Sequence, residues 1–162
     1  MRRACSSGPA YAFLGLLTLL PACTSNVDLK QALQVTDVST GWYDAGIVDG
    51  KNKLVPSVTF KIRKPADTKL STASLNLVFR KDSGEDHDDV FVQRVEFASD
   101  TETAPITVRS QTGYTGDPPQ SRADMMKNSQ FRDMDVEIFV RQSSSQWVSL
   151  HKERIVRQLI TH

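Results

Sequence analysis

Two short stretches hold the side chains best suited to chemistry. The first, DSGEDHDD, gathers Asp82, Glu85, Asp86, His87, Asp88 and Asp89. Clustered carboxylates hold Ca²⁺ through about six to eight oxygens, in a loop of fixed ligand spacing closed by a distal Glu. DSGEDHDD lacks that spacing, so it reads as a solvated loop between strands, and no metal is assigned to it. The second stretch, TGWYDAGIVDG, sets Trp42 and Tyr43 beside Asp44, with Asp49 further along. Paired carboxylates next to aromatic rings suit sugar binding or glycoside cleavage. The same residue types also close strands and turns. Trp42, Tyr43, Asp44 and Asp49 form the candidate small-ligand or glycan site.

Nucleophilic catalysis has little to work with. The histidines are His87 in the acidic run, His151 inside a strand pattern and His162 at the last position. No G-x-S-x-G, H-E-x-x-H or Walker loop occurs, and GYTGDPP lacks the Lys-Ser/Thr that a phosphate cradle needs. No catalytic residue and no cofactor is assigned.

These residues must be positioned by strands, because period-two alternation recurs along the chain. Val58, Phe60 and Ile62 share one face of SVTFKIRK; Leu75, Leu77 and Phe79 share one face of SLNLVFRK. Val136, Ile138 and Val140 do the same in VEIFVRQ. Such patterns are apolar toward a core and polar toward water. Fainter patterns cover Leu33–Trp42, Val90–Phe97, Ile106–Ser110 and Trp147–Arg157. About seven strands with turn chemistry between them predict an all-β fold, an antiparallel immunoglobulin-like β-sandwich. The Asp-Gly pair in VDGKNK predicts a tight reversal, Pro65 breaks the chain between two strands, and RQSSSQW is a polar hairpin connection.

One connection is longer than the rest. Gly113–Asp133 opens with Gly and Pro, then predicts one short helix capped by Ser121 with Asp124 three residues on. Tyr114, Met125, Met126 and Phe131 give this excursion an adaptable apolar contact surface, or else cap the open end of the sandwich. They are the candidate interaction surface.

The 162 residues suit one domain, and 24% charged with 39% hydrophobic residues excludes wholesale disorder. Arg2 and Arg3 account for two of the 20 Lys plus Arg, so the chain from Cys23 onward carries about −1, without the basic surface that nucleic acid requires. Both cysteines, Cys5 and Cys23, precede the strand patterns, which excludes a disulfide or thiol chemistry within the body of the domain.

The N-terminal segment has the proportions of an export signal: Arg2 and Arg3, then the apolar run Ala10–Leu20, too short to span a bilayer. Leu20-Pro21-Ala22-Cys23 resembles the lipobox of bacterial lipoproteins, although Pro21 stands where that family prefers a small or hydroxyl residue. The resemblance implies cleavage before Cys23, lipidation of its sulfur, and a membrane anchor. Thr24 follows the cysteine in place of Asp, which in enteric-type lipoproteins implies the outer membrane, facing the periplasm. The expected organisation is a signal peptide over 1–22, a polar tether over 23–31 and the sandwich over 32–162.

The segment LVPSVTFKIRKPADTKLSTASLNLVFRKD resembles FxLYD-type and related immunoglobulin-like modules of bacterial envelope proteins over roughly Leu33–Phe97, with Arg63-Lys64 where such modules carry Asn. Those modules are mostly non-catalytic. The resemblance implies a lipid-anchored module that binds or scaffolds an envelope protein partner. A small-ligand or glycan-binding lipoprotein is the alternative, and an envelope hydrolase stands third.

Overall fold

The computed structural model describes residues 28–82, 87–97 and 101–160. Cys23 with the lipobox-like segment before it, residues 83–86 of the acidic run, and His162 lie outside them. Two sheets stack face to face. The strands are β1 (Gln34–Val48), β2 (Lys51–Arg63), β3 (Thr72–Lys81), β4 (His87–Glu96), β5 (Ile106–Arg109), β6 (Tyr114–Gly116), β7 (Met134–Arg141), β8 (Val148–Arg154) and β9 (Leu159–Ile160). One sheet runs β5-β2-β1-β9 with β6 also on β2; the other runs β4-β3-β7-β8. The seven longer strands lie in the order of an immunoglobulin-like sandwich, with consecutive hairpins β1–β2, β3–β4 and β7–β8 and crossovers between sheets elsewhere.

All seven expected strands are present, and two short ones join them. Tyr114–Gly116 pairs with Asn52–Leu54, and Leu159–Ile160 lies parallel to Trp42–Tyr43. Neither is long enough to show an alternation in sequence. β1 also extends six residues past Trp42, and bulges at Asp37 (φ 53°), before that residue, and at Gly46 (φ 80°), after it, interrupt its period. Asp49 and Gly50 have φ of 52° and 75° between the paired Val48 and Lys51, the two positive angles that a two-residue hairpin turn demands.

The alternating residues build the core. Val58, Phe60 and Ile62 of β2, Leu75, Leu77 and Phe79 of β3, and Val136, Ile138 and Val140 of β7 are all buried. Pro56 sits inside β2, opposite Trp42, and its carbonyl accepts from the Ser110 amide at 3.0 Å. The amide and carbonyl of one strand residue project to the same edge. The missing N–H therefore faces the interval between β5 and β6, where no ladder needs it.

The packed chain starts before residue 32. Leu29, in the helix α1 (Leu29–Ala32), is buried with Leu33, and Asp28 caps the helix by accepting from the Lys30 amide. Residues 28–31, assigned to a tether by their polarity, lie on the domain. α1 precedes the start of β1, so the N-terminal side of the described chain is at the opposite end of the sandwich from the β1–β2 turn. α2 (Arg122–Lys127) is the expected short helix, and Ser121 Oγ accepts from the Asp124 amide at 3.1 Å while donating to its carboxylate at 2.6 Å. Among the described residues no helix is long and apolar enough to cross a membrane.

Candidate functional site

The structure separates the residues that sequence grouped together and joins two groups that sequence kept apart. Trp42 is 1% exposed, turned into the core. Tyr43, on the other face of β1, is half-buried with the Arg109 guanidinium 3.6 Å from its ring centroid. Asp44 accepts from the Gly46 amide at 2.8 Å and pairs with Arg122 Nε at 2.9 Å. Asp49 closes the hairpin turn. Adjacent strand residues face opposite ways, and the bulge at Gly46 turns the strand again before Asp49. Trp42, Tyr43, Asp44 and Asp49 therefore do not converge as one aromatic-lined acid pair.

The proposed contact surface is also rearranged. Met125, Met126 and Phe131 are buried, and only Tyr114 keeps partial exposure. These side chains close the open end of the sandwich instead of presenting an apolar face to a partner. Phe131 meets Trp42 edge to face at 4.6 Å and Tyr114 at 4.9 Å between ring centroids. Arg157 holds this lid in place, donating to Asp133, to the Met126 carbonyl at 3.1 Å and to the Phe131 carbonyl at 3.4 Å, with its guanidinium 5.1 Å from the Phe131 ring centroid. Hydrogen bonding to Arg157 holds the Asp133 carboxyl below the usual carboxylate range, against the opposing effect of partial burial.

A cleft of about 220 Å³ opens beside this aromatic trio, lined by Trp42, Tyr114, Thr112, Gln130, Lys81 and Arg132, with Gly113 and Met134 completing its wall. The Trp42 indole Nε1 is itself inaccessible and without a hydrogen-bond partner, a position that costs free energy comparable to a lost hydrogen bond. The cleft takes its chemical character from charge. The lining contains two cations and no carboxylate. Lys81 ends β3 and Arg132 precedes β7, so antiparallel pairing of those strands brings two residues distant in sequence to one mouth. Nothing local in the sequence marks them.

The acidic run does structural work where it is described. Asp82 takes both ends of its carboxylate to Arg154 Nη2, at 3.0 and 3.2 Å. Asp88 Oδ2 accepts from Ser110 Oγ at 2.6 Å, the Gln111 amide at 2.6 Å and the Thr112 amide at 3.3 Å. That carboxylate ties β4 of one sheet to the chain leaving β5 of the other. Among the described residues no group of three His, Cys, Asp or Glu side chains is arranged to hold a metal ion.

His151 lies 3.3 Å from a Glu153 oxygen, while Ser149 Oγ, two residues earlier, donates to Glu137 at 2.6 Å. The hydroxyl is thus bonded to a carboxylate, where a nucleophilic triad would bond it to the imidazole. The β1–β2 turn presents Ile47 at 66% and Val48 at 39% exposure, an apolar tip that the alternation did not anticipate.

No protein-family model matches the chain, and no curated protein does. Among solved structures it is similar to that of Northeast Structural Genomics Consortium target SoR45, with a TM-score of 0.37 and 13% identity over 78% of this chain and 88% of that one.

Proposed function

We propose that the chain is a lipid-anchored, non-catalytic β-sandwich of the bacterial cell envelope that serves as a protein-interaction or scaffolding module. It would be held to the outer membrane through Cys23 and face the periplasm. One observation carries the reading beyond the lipobox: burial of Leu29 so soon after Cys23. From Cys23 to Asp28, which caps α1, is five residue steps, which reach at most about 18 Å when fully extended. A module so tethered rests near the bilayer on its α1 end, with the β1–β2 turn and the Trp42 cleft directed away from it. The exposed Ile47 and Val48 then stand where a periplasmic partner would meet the domain.

Replacement of Cys23 by Ser tests the anchor. The wild-type chain is expected in the detergent phase on Triton X-114 partitioning and the variant in the aqueous phase. A variant that remains with detergent overturns the anchor. For the contact, a photo-crosslinking residue at position 47 in living cells is expected to give one defined adduct that the same residue at position 66 does not. Identical adducts from both positions count against a contact at the distal end.

A second reading, a small-ligand-binding lipoprotein, is favoured by the cleft beside Trp42. It draws on Lys81, Tyr114 and Arg132, where sequence had offered Tyr43, Asp44 and Asp49.

A further inference from the structure

We infer that the β7–β8 hairpin is a membrane-docking element, with Trp147 entering the phospholipid headgroup layer and fixing how the domain stands on the bilayer. The inference rests on the lipid-anchor reading and adds a second point of contact to it. Strand register places the hairpin at the tethered end. β2 finishes beside the start of β1, since Arg63 pairs with Gln34. The connection over 64–71 leads into β3 at that end, and Ser74 of β3 pairs with Arg141 of β7. The turn after Arg141 therefore lies at the α1 end. α1 also packs beside β8, which opens one residue after Trp147.

Three features suit this hairpin to lipid. First, among the described residues the exposed large apolar side chains are Ile47, Val48, Trp147, Val156 and Leu159. Ile47 and Val48 stand at the opposite end, Val156 follows the far end of β8, and Leu159 lies beside Trp42 midway along β1. Only Trp147, 37% exposed, stands at the end that a tether of at most about 18 Å holds against lipid. Second, the turn Gln142–Gln146 reads QSSSQ, without a charged side chain whose dehydration would oppose entry. Third, the ring is held in place. The Ser145 amide donates to the Gln142 carbonyl at 3.0 Å, and the Gln142 amide donates to Ser145 Oγ at 3.1 Å. The Arg141 guanidinium lies 4.5 Å from the Trp147 ring centroid. An indole favours the boundary between headgroups and acyl chains, and a guanidinium behind it suits lipid phosphate. A protein partner would find one ring on a polar turn, too little apolar surface for a stable interface.

Tryptophan fluorescence provides the test, because the chain has two tryptophans and Trp42 is 1% exposed in the core. The lipidated chain, purified in detergent, is reconstituted into vesicles of phosphatidylethanolamine and phosphatidylglycerol. One set of vesicles carries bromine on the acyl chains close to the headgroup, and flotation shows whether the chain is bound. Brominated lipid is expected to quench wild-type emission by about a third or more, and that of Trp147→Phe hardly at all. Trp147 is exposed, so its replacement should leave the fold intact. In Trp42→Phe the remaining emission should move to shorter wavelength when the chain joins the vesicles. Unquenched wild-type emission from a chain that floats with the vesicles overturns the inference and leaves the anchor standing; a ring reserved for a protein partner gives that result. Equal quenching of wild type and Trp147→Phe also overturns it. A wild-type chain that fails to float overturns the anchor and the inference together.

Discussion

Trp42 of β1 and Phe131 of the long connection meet with ring centroids 4.6 Å apart and planes inclined at 64°. This edge-to-face contact joins a sheet strand to the segment that closes the sandwich, and Tyr114 approaches the same Phe131 from β6. The aromatic trio makes one packing unit from residues far apart in the chain, and the candidate cleft opens beside it.

Truncating the central ring should therefore loosen the closure. Phe131→Ala removes a 3%-exposed ring and leaves a cavity, at an expected cost of about 3–4 kcal/mol. For a chain of this size that lowers Tm by on the order of 10 °C, measurable by calorimetry. Phe131→Leu should cost less than half as much. Equal stability of wild type and Phe131→Ala would show that the connection does not pack as described.

Arg157 gives the same closure a pH dependence. Its hydrogen bond keeps the Asp133 carboxyl below the ordinary carboxylate range in the folded chain. A lowered folded-state pKa stabilises fully above the unfolded value of about 4, and the contribution disappears as pH falls through the folded value. Arg157→Met should cost about 1–2 kcal/mol at pH 7, a figure reduced for the partial exposure of both side chains. Urea unfolding from pH 7 to pH 2.5 should show that difference narrowing below about pH 4, as Asp133 is protonated. A constant difference across the range would assign the whole effect to the bonds with the Met126 and Phe131 carbonyls.

Asp88 distinguishes a structural carboxylate from a solvated one. Asp88→Ala leaves the Gln111 amide without its acceptor and removes one bond from the Ser110 hydroxyl, which keeps Thr112 as a partner, with an expected loss of about 1–2 kcal/mol. Asp88→Asn retains an acceptor oxygen and should recover part of it. Hydrogen exchange at the Gln111 amide is the direct readout. Unchanged protection in Asp88→Ala would return this residue to the bland charged loop that its neighbours suggest.

Gly113 is required by a close approach. A Cβ there would collide with the Leu54 carbonyl oxygen and lie 2.9 Å from Val55 Cγ1. Gly113→Ala must push β6 away from β2 or distort both, so it should lower stability by about 1–3 kcal/mol and weaken the Asn52–Gly116 pairing. Chemical denaturation, with amide exchange at Tyr114–Gly116, measures both effects.

The architecture was legible because its signals are local. Alternation at Val58–Ile62, Leu75–Phe79 and Val136–Val140 records one buried face per strand, and Asp49-Gly50 and Ser121 act through their own backbones. The bulged second half of β1 was less legible, because an inserted residue resets the period; β6 and β9 are too short to have one.

The candidate site was mostly illegible for a different reason. Sequence placed Trp42 with its chain neighbours Tyr43, Asp44 and Asp49, yet alternation turns Tyr43 to the opposite face and Asp44 finds Arg122, 78 residues away. The apolar character of Met125, Met126 and Phe131 suits a docking face and a core lid equally well, since burial against self and burial against a partner use the same side chains.

By itself the sequence determined an all-β sandwich, its principal turns and the absence of cysteine chemistry within it, because periodicity, turn preference and composition are properties of neighbouring residues. Only the tertiary structure decided that the long connection folds inward and that Trp42, Lys81, Tyr114 and Arg132 share a cleft. Strand pairing and sheet stacking brought those four together across gaps of dozens of residues, and no local pattern encodes a distance of that kind.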